Sequence, residues 1–183
     1  NRNSHICSWV RPGDDAQSTV VARNGIENQQ VTWKNQWSIN PLMMENHDEK
    51  RFISRGRASP QNAPWHQQVG YMTAFTIGVS PILFYGGEIG LEGPYDGGNS
   101  AKMDRDGNVR EMLWNRLSDG TWSVVRSAMI KTVQARANFP ELRGDPKKGG
   151  RGFYTGGQYD GDVMVWARTG YGRKSIVMMN RSA

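Results

Sequence analysis

Apolar residues gather in short blocks along an otherwise polar chain, and their period changes from one part to the next. Pro41-Leu42-Met43-Met44 is a compact apolar run that ends abruptly in Glu45-Asn46-His47-Asp48-Glu49-Lys50-Arg51, the pattern of a strand buried in a parallel sheet. Beyond the breaker region at 60–64, Val69, Met72, Ala74, Phe75 and Ile77 recur at spacings of three and four and predict a helix over 65–76. Pro81-Ile82-Leu83-Phe84-Tyr85 is a second compact run, closed by Gly86-Gly87-Glu88. The order strand, helix, strand predicts parallel strands with a crossover helix, and therefore an α/β sheet or barrel.

The remainder divides in the same way. Residues 1–40 are rich in Asn, Gln and Ser and read as loop. A Gly- and Asp-rich stretch over 90–109 exceeds the usual connection, and loops of that length are functional or disordered. Val124, Val125, Ala128, Met129, Thr132 and Val133 mark a helix over 119–138, stopped by Pro140. The period then shifts to two: 162–168 and 174–180 read as strands of a hairpin joined through 169–173. Pro, Lys and Gly concentrate at 145–152, which places a domain boundary there. The expected organisation is a loop-rich segment 1–40, an α/β unit 41–145 and the start of an all-β domain 146–183.

Composition narrows the function more by exclusion than by pointing. The 183 residues carry 23 Lys and Arg against 17 Asp and Glu, a net charge of +6. The basic residues are scattered, with nothing denser than Lys147-Lys148, whereas a nucleic-acid binder gathers them on one stripe; a solvated basic surface is expected, with no nucleic-acid partner. Cys7 is the single cysteine, so neither an intrachain disulfide nor a cysteine metal cluster can form. No apolar run reaches the ~18 residues of a membrane span, and residues 1–8 lack the layout of a signal peptide. Asp104-Arg105-Asp106-Gly107-Asn108 has the first spacings of a Ca²⁺ loop, but Val109 and Asn115 stand where Gly and a bidentate Glu are required. The glycines around 86–98 are not followed by Gly-Lys-Ser/Thr, so they do not make a phosphate loop. With 22 Gly, seven Trp and six Tyr, a flat ligand such as a sugar is the class left open.

The segment that carries chemistry is Asn46-His47-Asp48 with Arg51. Alone, it fits a helix N-cap with a surface histidine. At the C-terminal end of a parallel strand, the same residues would face a site. Together with Pro81-Ile82-Leu83-Phe84-Tyr85-Gly86-Gly87-Glu88, the segment resembles the last part of the catalytic barrel of the α-amylase family of glycoside hydrolases. In that family an Asn-His-Asp segment ends the seventh strand and a Pro-x-x-Tyr-Tyr-Gly-x-Glu segment forms the eighth. Phe84 replaces the first of those tyrosines, and Val79-Ser80 a usual Gly. Asp106-Gly107-Asn108-Val109-Arg110 with Met112 and Trp114 resembles the loop that follows, and 163–180 the opening of the C-terminal β-domain.

The resemblance implies the C-terminal portion of a TIM (β/α)8 barrel, about its last two βα units, followed by the first strands of a β-sandwich. It implies a retaining glycosidase acting on α-glucosidic bonds of starch-like or malto-oligosaccharides, which needs a nucleophile and an acid/base about 5–5.5 Å apart. Asp48 would be neither; it would hold ring hydroxyls of the sugar and stabilise the transition state, with His47 and Asn46 contacting the same sugar. Arg51 would orient them or pair at the surface with Glu49 or Glu45, and Asp106 and Arg110 would reach a more distant sugar or form a solvated ion pair. Neither the family's Gly-x-Arg-x-Asp nucleophile motif nor its acid/base Glu occurs here. As a barrel takes about 250 residues, the chain is expected to be a piece of a larger enzyme, to need the rest of the barrel as its partner, and to be inactive and prone to aggregate alone. No cofactor is expected in this chain, with Ca²⁺ possible in the parent. Two rivals stand beside hydrolysis: transfer to a second sugar, and a non-catalytic barrel serving as an interaction module.

Overall fold

A computed structural model describes residues 9, 21–22, 24–25, 41–47, 51–55, 63–77, 80–93, 109, 111–143 and 162–182. Strand β1 (Pro41–Met43) pairs in parallel with β2 (Ser80–Ile82), Leu42 opposite Pro81, and helix α1 (Ala63–Thr76) lies between them in sequence. The strand–helix–strand order expected from the periodicity is therefore present, but the strands are shorter than the apolar runs. Pro41 and Pro81 each remove a ladder donor, and pairing closes after three residue pairs. Met44, Glu45 and residues 83–85 extend past the ladder instead of prolonging it.

Helix α1 is covered on most of its circumference: Val69, Tyr71 and Ala74 are buried, but so are His66, Gln67 and Thr73. Gly70 admits the Phe52 ring, which would lie 2.8 Å from a Cβ at that position. Helix α2 (Gly120–Asn138) begins where the sequence signals it, the Asp119 carboxylate accepting the Thr121 N–H at 2.7 Å. Arg136 donates to the carbonyls of Phe75 (2.8 Å) and Leu142 (2.9 Å), locking the end of α2 to the end of α1. Burial, then the charge of Arg143, lowers its pKa to about 10, which leaves it charged at neutral pH.

Strands β3 (Val163–Gly170) and β4 (Arg173–Asn180) form the expected antiparallel hairpin with a tighter turn than the spacing suggests. Tyr171 and Gly172 both take positive φ, 53° and 73°, so two residues suffice to reverse the chain. Met164, Trp166 and Arg168 face inward; Trp166 donates to the Thr76 carbonyl (3.4 Å) and Arg168 to that of Ile77 (3.0 Å). The opposite face is also apolar, with Ile176 and Met178 79% and 69% exposed. One core cluster joins Leu42, Phe52 and Tyr71 to Met129, Met164 and Trp166, so the hairpin shares its core with the helices. Trp9, Val21–Ala22 and Asn24–Gly25 are helical where composition predicts loop, and Trp9 and Ala22 are fully buried. Their polar neighbours hide any apolar period there. Arg181 holds the Trp9 carbonyl at 2.6 Å. The proposed boundary at 145–152 lies outside the described residues.

Candidate active site

Parallel pairing puts the residues that leave β1 and β2 at one edge of the sheet, where parallel α/β folds keep their sites. From β1 the chain runs through buried Met44 and Glu45 to half-buried Asn46 and exposed His47, in a turn; Asp48 lies outside the described residues, as do Asp106 and Arg110. The chain re-enters at Arg51, ahead of the 3-10 turn Phe52–Arg55.

Arg51 is fully buried, so its pair with Glu45 lies in the interior and not, as expected, at the surface. Its Nη1 lies 3.3 Å from Glu45 Oε1, both side chains without solvent exposure, and donates to the Tyr85 carbonyl at 2.8 Å. The guanidinium also covers the rings of Phe84 and Tyr85, at 4.1 and 4.8 Å from their centroids, while those rings meet edge-to-face. Backbone bonds reinforce the junction: Arg51 N–H donates to the Gly93 carbonyl (3.1 Å), and Gly93 N–H to Ser54 Oγ (2.9 Å).

Glu45 is the second hub. Its Oε2 accepts from Phe52 N–H at 2.6 Å, and its Oε1 from the Tyr71 hydroxyl at 3.0 Å. Burial raises the carboxyl pKa above its ordinary 4.5, while the Phe52 amide, Arg51 and Tyr71 pull it back. A Cβ at Gly87 would run into both the Tyr71 hydroxyl and the Glu45 carboxylate, so a side chain there would part the two loops. Gln67 anchors the Gly87 carbonyl at 2.7 Å.

Arg51, Phe84 and Tyr85 of the motifs thus belong with Glu45 to one assembly in which the loop after β1 is bolted to the loop after β2. Glu45, Tyr71 and Gln67 were not legible as site residues; the available signal was a carboxylate closing an apolar run, which must find a partner if buried. Farther along, Arg116 donates to the Gly90 carbonyl (2.7 Å) and sits over the Trp122 ring (5.4 Å), setting the turn that carries Trp114, 70% exposed. Among the described residues no three His, Cys, Asp or Glu side chains converge to hold a metal ion. No helix among them is long and apolar enough to cross a membrane.

No protein-family model matches the chain, and neither does any curated protein. Solved structures do match. The cyclic α-maltosyl-(1→6)-maltose hydrolase from Arthrobacter globiformis, in complex with that sugar, superposes with a TM-score of 0.71 at 20% identity over 98% of this chain and 35% of its own. AmyP E221Q in complex with maltotriose gives 0.77 at 18% identity, covering 100% of this chain and 39% of that one. An Anoxybacillus α-amylase gives 0.65 at 22% identity, covering 98% and 34%. The chain therefore spans little more than a third of the length of these structures, and over that span has their partial α/β fold. The resemblance to the α-amylase family drawn from the motifs is also a resemblance of architecture.

Proposed function

We propose that the chain is part of an α-amylase-family glycosidase, supplying the last strands of its (β/α)8 barrel and the first strands of a β-sandwich, and that the whole enzyme cleaves α-glucosidic bonds of starch-like or malto-oligosaccharides with retention. The observation that carries the reading is the end of the parallel pair: Glu45, which leads into Asn46-His47 after β1, and Phe84-Tyr85 after β2 are bound to each other through Arg51, at the end of the sheet where barrel enzymes hold substrate. The exposed apolar face of the hairpin suits a strand layer packed against it.

In this reading Asp48 takes hydroxyls of the sugar at the cleaved bond, and His47 donates a hydrogen bond to the same ring, with Asn46 beside it. Such contacts strengthen as the ring distorts toward the oxocarbenium ion, so they act on the barrier more than on affinity. Asp106 and Arg110 touch a sugar farther along the chain, and the nucleophile and acid/base come from residues beyond this stretch. Arg51, buried, supports the segment from below. The test is incubation of the full gene product, with the nucleophile and acid/base that lie beyond this stretch, with a chromogenic maltoside and with soluble starch, following the freed anomeric proton by NMR. The expected result is turnover with the α configuration appearing first; no turnover, or the β configuration first, refutes the reading.

A further inference from the structure

The excursion from β1 to the 3-10 turn leaves and returns at one carboxylate. Glu45 immediately precedes Asn46-His47, and its Oε2 accepts the Phe52 N–H at 2.6 Å, so the segment 46–51 is clasped at both ends by a single side chain only 1% exposed. Its other oxygen takes the Tyr71 hydroxyl and the Arg51 guanidinium, which fix the clasp to α1 and to the loop after β2. All three partners present hydrogens to the carboxylate, an arrangement made for the ionised form. A fold that needed only a filled space here would do as well with apolar side chains, because a buried ion pair adds little net stability.

The geometry points to Glu45 as the residue that positions the Asn46-His47-Asp48 segment for sugar, acting through the Phe52 amide and through Arg51 and touching no sugar itself. The inference rests on the functional reading above and deepens it. Stability and positioning separate in one set of variants of the gene product. Glu45→Leu combined with Arg51→Met removes both buried charges at the expense of the bonds to the Phe52 amide, Tyr71 hydroxyl and Tyr85 carbonyl, and should stay folded, melting well above Glu45→Ala, which strands the Arg51 charge. Its kcat on the maltoside should nevertheless fall about 100-fold with KM within about threefold, since a displaced contact costs the transition state rather than binding. Glu45→Gln, which keeps an acceptor for the Phe52 N–H, should recover about tenfold of that loss. Hydrogen exchange should quicken in the peptide covering 46–52 while the α1 peptide stays protected. A folded double variant with wild-type kcat, or with exchange unchanged over 46–52, overturns the proposal. Should the double variant not fold, Glu45→Gln carries both readouts, with kcat down about tenfold expected and unchanged kcat the refutation. If the wild-type protein does not turn over the maltoside, the functional reading has failed, and exchange over 46–52 alone decides whether Glu45 holds the segment.

Discussion

Glu45 and Trp166 both grip α1, the first with a carboxylate on the Tyr71 hydroxyl and the second with an indole N–H on the Thr76 carbonyl. Around Glu45, a charged pair without solvent exposure is held by a backbone amide, a phenol and a carbonyl. Around Trp166, Met164 and Met179 of the hairpin join the apolar cluster that includes Ala74 and Met129 of the helices, and the Trp166 indole and Arg168 guanidinium add bonds to the Thr76 and Ile77 carbonyls. A buried charge tolerates few geometries, since every unmet bond costs free energy. Apolar packing tolerates more. The polar junction therefore fixes the direction of the loop that carries His47, while the hairpin supplies cohesion.

Single truncations should look alike and their rescues should not. Glu45→Ala strands the Arg51 charge and should cost about 3–5 kcal/mol, and Trp166→Ala, emptying a fully buried site, should cost about 3–5 kcal/mol as well. In denaturant titrations, adding Arg51→Met to Glu45→Leu should restore much of the stability that Glu45→Ala loses, while no single neighbouring change restores Trp166→Ala. If the charge-free pair stays as unstable as Glu45→Ala, the contrast between the two regions collapses.

A smaller effect sharpens the hairpin side. Tyr171 holds a left-handed backbone that a bulky side chain dislikes. Replacing it with Asn, which takes that conformation readily, should raise stability by about 1 kcal/mol. An unchanged or lowered melting temperature would show that the Tyr171 side chain contributes contacts that outweigh its strain.

The smallest effect is a pH dependence at the buried flank of α1. Burial, and then the Arg181 charge, depress the His66 pKa below its ordinary 6.5. Between that depressed value and 6.5 the unfolded chain binds a proton that the folded chain does not. Stability is therefore full above pH 6.5 and declines as pH falls through that window. Melting curves collected from about pH 8 to 5 should show the decline, and His66→Gln should flatten it. An equal slope in the variant would assign it to other groups.

These contrasts also explain what the sequence made legible. Helix α2 was readable because Asp119 and Pro140 bracket a long periodic run, and the hairpin because two alternating runs lie close together. The strand–helix–strand unit followed from two apolar blocks flanking a helical one. The strand ends were not readable, since pairing stops after Met43 and Ile82 inside runs that hydropathy alone would extend. Trp9 and Ala22 reach the core from a polar stretch through contacts remote in sequence. Arg51 looked like a surface residue among Glu49, Lys50 and Arg51, and only the fold brings Phe84, Tyr85 and Glu45 around it. His47 and Asn46 were readable as motif residues; the acceptor beneath them was visible only as one odd carboxylate.

In the proposed function the segment after β1 stabilises a transition state on a sugar. Steady-state kinetics of Asp48→Asn in the gene product, on a malto-oligosaccharide, test it most directly. The expected result is a loss in kcat worth about 3 kcal/mol or more, with KM changed far less, because the lost contact belongs to the transition state. A near-normal kcat, or a loss confined to KM, would contradict it.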